Sequence, residues 1–214
     1  MNEGGLRLIN GGLKVTDMSD SKDTRELVLE TAERLAQQRG FHAFSYKDIG
    51  NLVGIKTASI HYYFPHKSDM AEAMVERYIA HARAGVEQAE QAFKSARKRL
   101  RAFGDFFLSI PVKDDRYCLL GMLGAEVLTM SEPVQQQLAG AFSFFEEWLE
   151  RNIALGVEQG EITLRESESP REAANVLLAT LEGGMMIART RAEPDYYDRL
   201  IKTALGRLGV PADP

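Results

Sequence analysis

Cysteine is almost absent from this sequence, which contains one, Cys118, in 214 residues. A lone cysteine excludes an intramolecular disulfide and any metal site built from several thiolates, and it favours a reducing compartment. Long apolar runs are missing too, since no stretch is long and apolar enough to span a membrane. The sequence therefore predicts a cytoplasmic protein without a membrane segment.

The motifs of metal and cofactor chemistry are also missing. The residues three positions before the four histidines are Arg39, Ala58, Tyr63 and Tyr78, so the Glu-x-x-His pairs of a di-iron helical enzyme do not occur. A Gly-x-Ser-x-Gly elbow, a His-Glu-x-x-His site and a phosphate-binding glycine loop are absent from the sequence. We therefore expect no enzymatic activity, no metal ion and no cofactor.

Positive charge is scarce, because 26 basic residues stand against 31 acidic ones and the formal net charge is −5. A nucleic-acid partner would therefore need a local basic surface. Between residues 21 and 67 there are seven Lys or Arg and five Asp or Glu. That difference of two does not by itself identify a DNA-binding protein.

Helical spacing of apolar residues runs through most of the chain, with no heptad run and no alternating strand pattern. We therefore predict an all-α fold. Capping residues, glycines and prolines give the helix boundaries. The predicted helices are about Thr24–Arg39, Tyr46–Val53, Thr57–Phe64, one beginning at Ser68, Leu100–Ile110 before Pro111, Tyr117–Thr129, Glu132–Glu158, Pro170–Thr190 and Asp195–Leu208.

The first 21 residues contain glycines and scattered charges but no continuous apolar stretch with a small-residue cleavage site. This composition is typical of a disordered tail rather than of a secretion signal. Met18 lies just before the first helix signal, so translation from Met18 is the alternative to translation from Met1.

The segment from Ser45 to Phe64 is predicted to form two short helices joined by a tight turn at Gly54. That arrangement is a helix-turn-helix. Its apolar residues would pack both helices against the first helix: Ile49, Leu52, Val53, Ile55, Ile60 and Phe64. Lys47, Thr57, Ser59, His61 and Tyr62 would remain in solvent, and such donors, hydroxyls and rings suit reading of the DNA major groove.

The stretch from Ile49 to Gly54, the sequence Ser-Ile-His-Tyr-Tyr-Phe at 59–64, and Lys67 resemble the N-terminal domain of the tetracycline-repressor (TetR) family. The resemblance covers about residues 24–78. It implies a DNA-binding domain at 22–68 and a helical ligand-binding and dimerisation domain at 69–214, with residues 1–21 as the tail.

The resemblance also implies roles for individual residues. Lys47 would contact a base or a phosphate, and Tyr63 and Lys67 would hold phosphates. Lys56 departs from the small polar residue common at its position, which weakens the cap of the third helix but adds a candidate phosphate contact. The recognition-helix positions facing DNA are Thr57, Ala58, Ser59, His61 and Tyr62.

Members of the family bind pseudo-palindromic operators as two-fold dimers, so the resemblance implies a homodimer bound to double-stranded DNA. In the family the last two long helices form the dimer bundle, which here would be Glu132–Glu158 and Pro170–Thr190. The residues expected at this interface are Trp148, Leu177, Leu181, Gly184 and Ile187. For the stripe on the second helix, packing within one chain is the alternative.

Beyond residue 78 the similarity is one of architecture, because family members differ there with the small molecule that releases them from DNA. Methionines and aromatic rings favour an apolar cavity with adaptable walls. The candidate effector residues are Met74, Tyr78, Phe103, Phe107, Cys118, Met122, Glu126, Phe142 and Met185. Glu126 follows an apolar run and would need a partner or a cationic ligand if buried.

Two alternatives to a ligand-released repressor stay open from the sequence. Cys118 lies beside Arg116 at a predicted helix start, where a lowered thiol pKa would make it a sensor of electrophiles or oxidants. An inert, buried cysteine is the competing interpretation. The second alternative is a helical interaction protein that does not bind an operator.

Overall fold

A computed structural model of the chain describes residues 18–110 and 114–211, and helices joined by short connections make up this part, with no strand in it. The predicted all-α fold is confirmed. The helices are α1 (Met18–Arg39), α2 (Tyr46–Val53), α3 (Thr57–Tyr63), α4 (Lys67–Ala92), α5 (Ala96–Ser109), α6 (Leu119–Ala125), α7 (Glu132–Glu158), α8 (Pro170–Arg191) and α9 (Pro194–Gly206). Short 3₁₀ turns cover Phe41–Ala43 and Val127–Thr129.

The three N-terminal helices form a small unit whose core lies between α1 and the α2–α3 pair. Ile49 and Ile60 are completely buried there, and Ser45 caps α2, with its backbone N–H donating to the Asp48 carboxylate at 2.7 Å. Gly54 ends α2 in the left-handed region with φ 82°. The predicted helix-turn-helix is therefore present, except that Leu52 is 56% exposed and does not pack on α1.

The long helix α4 begins in the N-terminal unit and continues into the C-terminal bundle. Its Arg77 makes ion pairs with three glutamates of α1, at 2.5 Å to Glu26, 3.2 Å to Glu30 and 2.7 Å to Glu33. Further along, α4 packs against α5, α6 and α7. One rigid helix therefore contacts both parts of the chain.

The C-terminal bundle is built from α5, α7, α8 and α9, with α8 packed between α7 and α9. Trp148 of α7 is 1% exposed and its ring stacks on Phe103 of α5, with the centroids 5.3 Å apart. Gly184 of α8 lies against Leu200 of α9, whose methyl carbon would be 2.3 Å from an added Cβ. The bundle core is thus complete within one chain.

This packing corrects most of the predicted dimer interface. Trp148, Leu177, Leu181 and Gly184 are buried against other helices of the same chain, so they are core residues. Ile187 is the exception, since it is 42% exposed. The sequence pattern did not separate the inner from the outer face because both faces of α8 carry apolar residues.

Several predicted boundaries also change. Helix α1 begins at Met18 rather than at Thr24, and the helix predicted at Tyr117–Thr129 is shorter and ends at Ala125. It ends there because Glu126 leaves the helical conformation, with ψ at 9°. The expectations for residues 1–17 and for Pro111 lie outside the described residues.

We predict that Gly50→Ala lowers the free energy of unfolding by about 1–3 kcal/mol, because overpacking forces the backbone to shift. A Cβ at Gly50 would lie 2.8 Å from the backbone oxygen of Ile55, in the connection between α2 and α3. The matched control is Gly85→Ala on α4, where nothing lies within 4 Å. That change should stabilise the helix by about 0.5–1 kcal/mol. Urea unfolding measures the free energy of unfolding of both variants. Equal changes in the two would contradict the close packing of Gly50 against Ile55.

Candidate nucleic-acid interface and ligand pocket

Helix α3 presents a continuous exposed surface on the side opposite its buried Ile60. Tyr62 is the most prominent residue, with 82% of its surface exposed and its ring in edge contact with Tyr63 at 5.3 Å between centroids. Six of the predicted contact residues are exposed: Lys47, Lys56, Ala58, Ser59, His61 and Tyr62. Thr57 and Tyr63 are partly buried at its edge.

A buried tyrosine that the sequence analysis missed holds this surface in place. The Tyr46 hydroxyl donates to the Phe64 carbonyl at 2.9 Å, and its ring makes an edge contact with His61, with 4.7 Å between centroids. Burial, together with the Asp69 charge, raises the pKa of Tyr46 to about 12, so the hydroxyl remains a donor at neutral pH. The sequence signal that could have identified Tyr46 is an aromatic residue at the first position of α2.

Lys67, which the sequence predicted to hold a phosphate, makes contacts within its own chain. Its ammonium group donates to the carbonyl oxygens of Phe41 and Phe44, both at 2.5 Å, and lies over both phenyl rings. Burial lowers the pKa of Lys67, while the negative charges of Glu126 and Asp48 oppose that change. The group is engaged by the protein itself, so this structure does not offer it to a phosphate.

Glu126 likewise lies outside the pocket in which the sequence placed it. Its carboxylate accepts the backbone N–H of Phe41 at 2.9 Å. At Gly40, which has φ 90°, an added Cβ would be 2.3 Å from a carboxylate oxygen of Glu126. Glu126 therefore joins the turn after α1 to the C-terminal bundle. Its partner is the Phe41 backbone N–H, and not a cationic ligand.

A narrow pocket with a cavity volume of about 10 Å³, which is room for about one water molecule, lies between α4, α5, α7 and α8. Tyr78, Phe103, Phe107, Cys118 and Phe142 line it, as the sequence analysis expected. A second cavity of about 130 Å³, here called the outer groove, lies between α6 and α8 and is lined by Met122 and Met185. Met74 lines neither cavity and is completely buried in the core.

Cys118 and Glu182 line both cavities and separate one from the other. The thiol is 4% exposed, and the Tyr78 hydroxyl lies 3.6 Å from its sulfur. Burial raises the pKa of the Cys118 thiol well above its usual range, and the nearby Glu182 carboxylate raises it further. This environment disfavours the reactive thiolate that a sensor cysteine requires.

Glu182 is the functional residue that sequence reasoning missed. Burial raises its carboxyl pKa to about 7. The side chain fits because Gly121 has no Cβ, which would lie 2.4 Å from a carboxylate oxygen. Its sequence surroundings, Thr-Leu-Glu-Gly-Gly, resemble an ordinary exposed helix position. The fold, rather than any local pattern, brings the carboxylate to the thiol of a residue 64 positions away.

Within residues 18–110 and 114–211, no group of three or more His, Cys, Asp or Glu is arranged to hold a metal ion. None of the helices described is both long and apolar enough to cross a membrane.

Comparison with known proteins finds two family models on this chain. The model "Bacterial regulatory proteins, tetR family" matches residues 28–74, and "Tetracyclin repressor-like, C-terminal domain" matches residues 96–204. The second covers half of the chain.

Individual proteins agree with these models over nearly the whole chain. The transcriptional repressor NemR of Escherichia coli is 28% identical over 193 residues, which cover 89% of this chain and 96% of NemR. The transcriptional regulator LmrA of Bacillus subtilis is 26% identical over 171 residues, with 78% and 87% covered. The crystal structure of a TetR-family regulator from Agrobacterium tumefaciens superposes with a TM-score of 0.82 at 28% identity, covering 88% of this chain and 98% of that one.

We predict that Glu182→Gln removes a pH dependence of stability. Because the folded-state pKa of about 7 exceeds the ordinary value of 4.5 for a glutamate, the folded protein keeps a proton that the unfolded chain loses. The stability from this proton is complete below pH ~4.5 and is lost as the pH rises through ~7, a change on the order of 2 kcal/mol.

Urea unfolding at pH 5 and pH 8.5, at one protein concentration, measures this difference. Glu182→Gln should therefore exceed the wild type in stability at pH 8.5 much more than at pH 5. Glu158→Gln, an exposed position on α7, is the control and should follow the wild type. An unchanged pH dependence in Glu182→Gln would show that the carboxyl group is not buried.

Proposed function

The chain belongs to the TetR family of transcriptional regulators, and we propose that it is a repressor that binds a pseudo-palindromic operator as a homodimer and is released by a small-molecule effector. The observation that carries this proposal is the exposed face of α3. Its donors and rings project from a helix whose opposite side is fixed in the core by Ile60. A recognition helix needs this combination, because side chains must reach base edges from a rigid support.

The reading surface divides into base and phosphate contacts. Ser59, His61 and Tyr62 stand at the centre of the exposed face and are the candidates for base edges. Lys47 and Lys56 are exposed at the starts of α2 and α3 and are the candidates for phosphates. Lys67 contributes indirectly, since it fixes the turn that precedes α2. Contact with chromosomal DNA implies action in the cytoplasm.

The pocket between α4, α5, α7 and α8 is the proposed effector site. Its walls are mainly aromatic, as those of small-molecule sites commonly are, and a ligand would enter by displacing these side chains. Tyr78 connects it directly to α4, the helix that also carries Arg77 and its ion pairs to α1. An effector that binds better to one position of α4 than to another shifts the population of the DNA-binding arrangement.

A second connection reaches the N-terminal unit from the outer groove. The Arg189 guanidinium of α8 donates to the Gln38 carbonyl at the end of α1 at 2.6 Å and contacts the Met122 sulfur at 3.2 Å. It also lies over the Tyr117 ring, 4.6 Å from the centroid. Because Arg189, Met122 and Tyr117 all line the outer groove, a change there acts on the last turn of α1.

The dimer is proposed to form through the outward face of α8. Val176, Met186 and Ile187 are 56%, 59% and 42% exposed, an unusual density of apolar surface on one helix. Between them, Gly183 has nothing within 4 Å and leaves room for close approach of a second helix. A two-fold axis across this face would bring the same residues of both protomers together.

The burial of Cys118 and its raised pKa disfavour the reactive thiolate that the alternative of a thiol sensor requires. An interaction protein without operator binding is the remaining alternative. A DNA titration distinguishes it from a repressor, since specific operator binding is both sequence-selective and salt-sensitive.

We predict that Tyr62→Ala weakens operator binding about tenfold or more, since a good base contact contributes ~1–3 kcal/mol. The measurement is a titration of labelled duplexes from the DNA flanking the gene, at two salt concentrations. The control, Leu128→Ala, changes a side chain that is 91% exposed on the C-terminal part, and it should bind as the wild type does. Wild-type affinity of Tyr62→Ala at both salt concentrations would remove α3 from the interface.

We predict that Gly183→Arg yields folded monomers, because a Cβ at this position has no atom of its own chain within 4 Å and the side chain starts from the proposed dimer face. Gly140→Arg on α7 is the control, since Gly140 is equally open but lies on another surface. Sedimentation velocity and circular dichroism measure assembly and folding. A dimeric Gly183→Arg variant would show that the protomers associate elsewhere.

A further inference from the structure

The pocket between α4, α5, α7 and α8 contains one charge in an otherwise apolar wall. Of the described residues that line it, Glu182 alone is charged. The remainder of the wall consists of six phenyl or phenol rings, a thiol and aliphatic groups, with Phe103, Phe106 and Phe142 among the rings. A carboxylate in such surroundings loses most of its hydration, so the group either keeps a proton or pairs with a cation.

The described part of the chain supplies no cationic partner for this carboxylate. None of the ion pairs found among residues 18–110 and 114–211 includes Glu182. Among the described residues, its side-chain hydrogen-bond partner is the Cys118 thiol, which is a weak donor. Nearby, the Tyr197 hydroxyl of α9 is buried and has no hydrogen-bond partner among the described residues.

We propose that the effector is a small apolar organic cation, such as an amine or quaternary ammonium, whose positive group pairs with Glu182 while its apolar body lies among the aromatic rings. This inference rests on the proposed function, since it names the ligand class of the effector site. Aromatic faces attract a cation through their negative quadrupole, and a desolvated site strengthens that attraction. A neutral or anionic ligand of the same shape leaves the carboxylate uncompensated.

The position of Glu182 also explains how such a ligand acts on the DNA-binding part. Glu182 and Arg189 are seven residues apart on α8, which is two helical turns, so both lie on one side of the helix. Arg189 holds the Gln38 carbonyl at the end of α1. A ligand that pulls on Glu182 therefore displaces the segment of α8 that anchors α1.

The experiment compares benzyltrimethylammonium with its uncharged carbon isostere, neopentylbenzene. Binding is followed by the fluorescence of Trp148, the only tryptophan, which stacks on the pocket residue Phe103. We expect the cation to bind the dimer at least about tenfold more tightly than the isostere. Glu182→Gln should abolish this preference, whereas the control Glu158→Gln on the exposed side of α7 should retain it.

Equal binding of the two probes, or no binding of the cation at millimolar concentration, would overturn the proposal. A cation preference that survives in Glu182→Gln would overturn it as well. Gly121→Ala is a second variant, because its methyl group would displace the Glu182 carboxylate and should weaken cation binding. Operator titration of the ligand-free protein is carried out separately. Operator binding without a cation preference would contradict only the ligand class, whereas the absence of operator binding would contradict the repressor function.

Discussion

The peptide groups of Phe41 are where the DNA-reading helices are fixed to the remainder of the protein. The N–H of Phe41 donates to Glu126 from the C-terminal part, while its carbonyl accepts from Lys67 at the start of α4. Gly40 allows this approach, because its φ of 90° and its missing Cβ leave room for the Glu126 carboxylate. The position of α2 and α3 relative to the bundle therefore depends on one short turn.

The chemistry of this junction suits a switch better than an apolar contact would. Hydrogen bonds to charged groups are directional, so a small rotation of α4 or of α6 breaks them, whereas apolar packing yields gradually. Arg189 adds a third polar link one turn earlier, at Gln38. The small N-terminal core stays intact during such a change, because Ile49 and Ile60 are buried within that unit.

Local signals were sufficient for the helix-turn-helix, and distant contacts explain what they missed. Ser45, Asp48 and Gly54 define α2 through interactions spanning a few residues, so the sequence alone located it correctly. Glu126 and Phe41 are 85 residues apart, and no local sequence pattern indicates the hydrogen bond between the Phe41 N–H and the Glu126 carboxylate. Trp148 was misassigned, and the contacts of Lys67 within its own chain were missed, for the same reason, since only tertiary packing decides which neighbour a long side chain meets.

Helix α8 shows why periodicity alone cannot separate core, pocket and interface. Gly183 and Gly184 are adjacent, yet the first faces open space and the second touches Leu200. The preceding residue, Glu182, faces the pocket. One helix thus presents three surfaces in three consecutive residues, as its 100° rotation per residue requires. A ligand at one surface therefore moves the other two with it, so the same rigid helix connects effector binding, chain packing and the proposed dimer contact.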